Sequence, residues 1–153
     1  MDKIIHCSIR VKCDTQRAFE MFTKNDLITK WLPSVAEIET KVGGKYELFF
    51  DPNDREDNST IGCKVTTIEP NSLLSFEWKG PIQFKNFMNN SDPLTHVVVS
   101  FVDRSEGSEP STDVHLVYSG WRSSAEWEEA RVYFDKAWKG AFEKMSTVIQ
   151  DRG

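Results

Sequence analysis

The sequence predicts an α+β fold in which one strand, two short helices and six further strands precede a long C-terminal helix. Two patterns predict it. Between residues 123 and 150, Trp127, Ala130, Phe134, Ala137, Trp138, Ala141, Phe142, Met145, Val148 and Ile149 recur with the i, i+3, i+4, i+7 spacing of one helix face. Upstream, apolar and polar residues alternate with period two in short runs, broken by Gly, Pro and Asn turn signals, as half-buried antiparallel strands require; about seven strands result. The length of 153 residues fits a single domain, 1–153, able to bury roughly 68 to 70% of its unfolded surface.

The elements follow in order. Ile5, Cys7, Ile9 and Val11 alternate with His6, Ser8 and Arg10, giving a strand over residues 3–12 with one dry face. Asp14 or Thr15 caps a short helix whose apolar positions are Ala18, Phe19, Met21 and Phe22; Asn25 or Asp26 starts a second through Leu27, Ile28 and Trp31, which Pro33 ends. A strand over residues 35–40 turns at Gly43 and Gly44 into a partner where Tyr46, Leu48 and Phe50 alternate with Lys45, Glu47 and Phe49. Residues 51–60, with Pro52, Asn53, Asp54, Glu56, Asp57 and Asn58, read as a solvated polar loop, because the ligand order and glycine of a calcium loop are missing. Strands at residues 61–68 and 73–79 flank a Pro70-Asn71 turn, the second with Leu74, Phe76 and Trp78 on one face.

Residues 80–93 mix Pro81 and several Asn with the apolar anchors Ile82, Phe84, Phe87 and Met88, which reads equally as a lid or as a loop fastened over the sheet edge. Residues 94–102 and 112–119 make the last hairpin, with Val97, Val99 and Phe101 on one face of the first strand and Val114, Leu116 and Tyr118 on one face of the second. After Gly120, Ser123 and Glu126 read as a capping box for the final helix, and Glu126, Glu128 and Glu129 complement its dipole.

Composition narrows the function. Five Trp, three Tyr and ten Phe are many for this length and fit a thick core or a large pocket. A net charge of −5, a pI near 5.2 and the lack of a Lys/Arg cluster argue against a nucleic-acid partner. No apolar run is long enough to span a bilayer and the start has no signal-peptide pattern, so no membrane insertion is expected and the expected location is cytoplasmic. Cys7, Cys13 and Cys63 lack CxxC spacing and read as reduced structural thiols. With no GxGxxG, P-loop, HExxH or GxSxG sequence, no cofactor and no metal are expected. Strand parity sets His6, His96 and His115, with Glu47 and Glu77, opposite the apolar sets, so no base converges on the interior and catalysis is not the favoured reading. For an enzyme, Tyr46, Tyr118 and Arg131 are the first candidates.

Particular residues also form a known series. Ala18, Phe19, Phe22, Thr23, Leu27, Trp31 and Pro33 make a helix-and-tryptophan segment, and Gly43, Gly44, Tyr46 and Phe50 a double-glycine hairpin. Gly62, Ile68, Pro70, Leu74, Phe76 and Trp78 make a central hairpin. Thr112, Val114, Leu116, Ser119 and Gly120 mark a later strand, and Trp127, Phe134, Trp138 and Phe142 the final helix. In this order, over essentially the whole chain, they resemble the SRPBCC superfamily of START and Bet v 1-like helix-grip domains, in particular the group named after the activator of the Hsp90 ATPase.

That resemblance implies a curved antiparallel sheet wrapped on the long helix with an apolar cavity between them. It implies a fold more specifically than an activity. The function expected on this basis is non-catalytic binding of a small, largely apolar molecule: a lipid, polyketide or aromatic metabolite. The expected walls are Trp31, Tyr46, Leu48, Trp78, Val99, Tyr118, Phe134 and Trp138, the lid Phe84, Phe87 and Met88, and the polar anchor Arg131. Two alternatives are an Hsp90-type co-chaperone or other interaction module with a protein partner, and a cyclase- or hydratase-like enzyme. The well-characterised co-chaperones resemble this chain in only one of their two domains.

Overall fold

A computed structural model describes residues 3–151. Its strands are β1 (Ile5–Val11), β2 (Val35–Ile38), β3 (Tyr46–Asp51), β4 (Asp54–Ser59), β5 (Val65–Glu69), β6 (Leu73–Trp78), β7 (Thr95–Asp103) and β8 (Thr112–Ser119). The helices are α1 (Thr15–Thr23), α2 (Asn25–Ile28), α3 (Lys85–Met88) and α4 (Ala125–Asp151). Five strands pair antiparallel in the order β1-β8-β7-β6-β5, and β2, β3 and β4 form a smaller sheet.

Register turns the period-two pattern into a core. Leu116 stands opposite Cys7 on one side and Val99 on the other, and Val97 lies between Tyr118 and Phe76, so one face of the large sheet collects the apolar side chains of every strand. The other face carries His6, Ser8 and Arg10 of β1 and Asp113 and His115 of β8, as parity requires. Helix α4 packs against β1 and buries Trp127, Ala130, Phe134, Trp138, Phe142, Met145 and Ile149 at intervals of three and four residues. Asp14 caps α1, its Oδ1 accepting from Arg17 N at 2.8 Å, and Trp31 Nε1 donates to Met21 O at 2.8 Å, fastening the α1–α2 corner. Among the described residues no helix is long and apolar enough to cross a membrane.

Backbone bonds join the two sheets at one place. Gly43 N donates to Val65 O, Val65 N to Gly44 O and Tyr46 N to Cys63 O, at 2.8 to 2.9 Å, around a bridge between Lys45 and Lys64. Gly43 reaches this turn with φ +82°, a left-handed conformation that glycine adopts at no steric cost.

The structure corrects four details. The described residues hold eight strands instead of about seven, because the stretch read as a polar loop contains β4, paired to β3 at Phe49–Ser59 and Asp51–Asp54. As an edge strand of polar residues it has no apolar alternation to read; Arg55 pairs with Glu37 and lies 4.5 Å over the Phe49 ring, which is buried outside the main core. The strand expected from residue 61 begins at Val65, after a turn closed by Cys63 N donating to Thr60 O. Residues 82–88 are helical instead of irregular. The cap of α4 is Ser124, whose Oγ accepts from Trp127 N at 3.2 Å, so the Ser123–Glu126 capping box does not form.

Candidate functional site

The residues expected to wall a cavity fall into two groups. Trp31, Tyr46, Leu48, Val99 and Tyr118 are at most 2% exposed and sit inside the continuous core. Their polar atoms are satisfied there: Tyr46 Oη donates to Phe22 O at 2.7 Å, and Tyr118 Oη shares a hydrogen bond with Thr95 Oγ1 at 2.8 Å. Burial drives both phenols well above their ordinary value, with the Thr95 bond opposing the shift at Tyr118. Sealed and protonated at neutral pH, neither hydroxyl reaches solvent. Tyr46 stacks on Phe76 with centroids 3.9 Å apart, filling the interior between the two sheets.

Trp78, Phe134 and Trp138 do meet open space. With Phe50, Tyr133, Leu32 and Ala137 they line a cleft of about 310 Å³ between the end of the sheet and α4, at the small end of the range for small-molecule sites. Trp78 and Trp138 form the deep wall with centroids 5.1 Å apart, and Phe50 meets Trp78 edge-on at 6.3 Å. The rim is apolar and wet, with Phe50 38% and Tyr133 41% exposed. Polar groups enter from two places: Asp51, Asn58 and Ser59 from the β3–β4 hairpin, and Lys79 just past β6. Lys79 Nζ donates to Ile61 O at 2.6 Å, Asn58 Oδ1 accepts from Ile82 N at 2.8 Å, and Asp51 Oδ1 accepts from Asn53 N at 2.9 Å. Trp138 Nε1 is fully buried with no acceptor.

The segment read as a lid is anchored beside this cleft. Phe84 meets Tyr133 edge-on at 5.3 Å, Phe87 meets Trp127 at 5.1 Å, and Met88 is fully buried under Gly80. A Cβ at Gly80 would lie 2.7 Å from Met88 Sδ and 3.2 Å from Phe84 Cβ, so a larger residue there would have to push the buried Met88 aside. The Asn89 side chain brackets the same residue, Oδ1 accepting from Gly80 N at 2.7 Å and Nδ2 donating to Gly80 O at 3.2 Å. Lys85 pairs with Asp57 at 2.5 Å. Phe84, Phe87 and Met88 therefore fix the segment, and it is Gly80 and Pro81 that border the cleft.

Arg131 lies elsewhere. Its guanidinium pairs with Glu128, which also takes Lys3 Nζ at 3.2 Å; Arg131 first, then Lys3, hold the Glu128 carboxyl down at about 2. These residues border a second hollow with Trp121, Arg122 and Trp127 at the start of α4, away from the aromatic cleft.

Sequence reasoning omits Phe50, Tyr133 and Lys79. Phe50 shares strand parity with Tyr46 and Leu48, a signal sufficient to find it. Tyr133 stands one position off the helix stripe. Lys79 alternates away from Trp78 on paper, but β6 ends at Trp78 and the alternation ends with it. Among the described residues no group of His, Cys, Asp and Glu is arranged to hold a metal ion.

Comparison with solved structures gives the same architecture over nearly the whole chain. Protein MLL2253 from Mesorhizobium loti superposes with a TM-score of 0.74 at 19% identity, covering 98% of each chain. PFC0360w, an HSP90 activator from Plasmodium falciparum, gives 0.71 at 18% over 96% of each chain. CalU16 from Micromonospora echinospora gives 0.68 at 16%, over 97% of this chain and 74% of that one. At such identities the likeness shows the fold, the helix-grip arrangement of a curved antiparallel sheet on a long C-terminal helix. No curated protein sequence matches. The profile described as activator of Hsp90 ATPase homolog 1-like protein matches residues 12–150, and by that match, running from just past β1 into α4, the chain belongs to the activator of Hsp90 ATPase homolog 1-like family.

Proposed function

We propose that the protein binds a small, largely apolar molecule of the lipid, polyketide or aromatic-metabolite kind in the cleft between the sheet and α4. One observation carries this reading: five aromatic rings, Phe50, Trp78, Tyr133, Phe134 and Trp138, line one open cleft between the sheet and α4. Burying an apolar ligand there gains roughly 25 cal/mol per Å² before ordering costs, and the few polar groups of the lining orient it. Phe84, Phe87 and Met88 act from behind, by fixing the segment that borders the mouth.

Native mass spectrometry of the protein purified from its own host tests this, followed by extraction of whatever is bound. A stoichiometric apolar adduct, weakened in Trp138→Ala, is the expected result. A clean apo mass that no fatty acid or polycyclic aromatic shifts overturns it.

A second reading has its own support, since the family is named for Hsp90 activation and the similar PFC0360w is an HSP90 activator. In it an exposed face binds a chaperone, and the host's Hsp90 ATPase rate responds to the protein whether or not the cleft is occupied. An unchanged ATPase rate removes it.

A further inference from the structure

The hydrogen-bonding groups of the aromatic cleft are unequally matched. Lys79 Nζ has three N–H groups and one acceptor, Ile61 O at 2.6 Å, and among the described residues it forms no ion pair. Asn58 commits its oxygen to Ile82 N and retains its NH₂ group. Trp138, 2% exposed, has a fully buried indole N–H with no acceptor, an arrangement that native cores rarely leave standing. Against these three donors stand one carboxylate, Asp51, with one oxygen already engaged by Asn53 N, and the hydroxyls of Ser59 and Tyr133. The apolar part of the lining is equally selective in shape: Trp78 and Trp138 offer ring faces in the depth, and Phe50 and Tyr133 offer rings at the rim.

Resting on the reading of this cleft as a ligand site, we propose that its ligand is a flat aromatic or conjugated molecule bearing an anionic oxygen, a carboxylate or enolate. The ring system lies along Trp78 and Trp138, and the oxygen meets Lys79 Nζ. Such a contact is a charge-assisted hydrogen bond formed beside apolar walls, where it is stronger than in open water. The position of Lys79 beyond the end of β6 gives its flexible stem the freedom to follow the head group.

The test is a set of NMR titrations of the ¹⁵N-labelled protein with three probes that share one body: 2-naphthoate, 2-naphthylmethanol and 2-naphthylmethylammonium. The naphthoate is expected to bind about tenfold more tightly than the alcohol, with the ammonium weakest. Lys79→Met should abolish the preference while still binding the alcohol, and Lys79→Arg should keep it; the same spectra report that both variants are folded. The Trp138 indole resonance, assigned by its loss in Trp138→Phe, should move with naphthoate. Equal binding of all three probes, or an undiminished preference in Lys79→Met, overturns the head-group assignment and leaves the cleft as an apolar site. If no probe moves any resonance of the lining, the reading of the cleft falls and takes this inference with it.

Discussion

Cys7, Cys13 and Cys63 illustrate how burial, more than neighbouring charge, sets reactivity. Loss of hydration pushes their thiols up to about 11, 11 and 12, so almost no thiolate exists at pH 8. Ellman's reagent is expected to leave the native protein nearly unlabelled at that pH and to count all three cysteines after denaturation; fast labelling of the native state would contradict this burial. Asp113 shows the opposite shift. Hydrogen bonds from Arg10 at 2.7 Å, helped by Arg104 at 3.1 Å, hold its carboxyl at about 2 against an ordinary value of 3.8. A depressed carboxylate stabilises the fold above its unfolded value, and the contribution fades as pH falls through the folded one. Asp113→Asn should therefore lower Tm slightly at pH 7, the pair being exposed, with the gap to wild type closing between pH 4 and pH 2. Parity placed Cys7 on the dry face of β1 and Asp113 opposite Val114 and Leu116, whereas Cys13 and Cys63 lie outside the strands; the partner of each charge was not legible, because register between distant strands decides it.

The elements differ in how much of themselves they announce. Helix α4 is legible along its length because one stripe of large side chains repeats at helical spacing, yet its first residue turns on which of two adjacent serines aims its hydroxyl at the third amide. Ser124→Ala should cost about 1 kcal/mol in urea denaturation and Ser123→Ala almost nothing; equal costs would restore the capping box. Strand β4 is silent in the sequence since neither of its faces meets the main core, and its pairing is backbone chemistry that any polar residue supports. The stretch at 80–93 looked irregular because its order comes from tertiary brackets. Asn89→Ala removes the amide that holds Gly80 from both sides, and hydrogen exchange at residues 82–88 should rise while exchange in β7 and β8 stays unchanged.

At the scale of the whole molecule the fold was readable and the open volume was not. Alternation and helical spacing say which residues go inside; whether Tyr46, Trp31 and Tyr118 leave room or interlock depends on rotamers and ring angles that no pattern encodes. Arg131 lies outside the aromatic cleft, and a break in a helix stripe says that a side chain is polar but not that Glu128 one turn away already holds it. Phe142 packs on Phe22 of α1, on Trp31 beyond α2 and on Trp138 of α4, with centroids 6.2 to 6.4 Å apart, so it ties the N-terminal corner to the long helix. Phe142→Ala should cost about 3 to 5 kcal/mol by chemical denaturation; a cost under 1 kcal/mol would mean that the corner holds without it.

The link between the sheets acts on all of this. Beside the link Tyr46 and Phe76 stack face to face with centroids 3.9 Å apart, whereas at the cleft Phe50 meets Trp78 edge-on at 6.3 Å. The two sheets are thus joined by backbone bonds at the Lys45–Lys64 bridge, while the cleft lies at a different place, against α4. In the proposed reading of the cleft, the width open to a ligand is set in part by a joint whose residues, Lys45 and Lys64, do not line it.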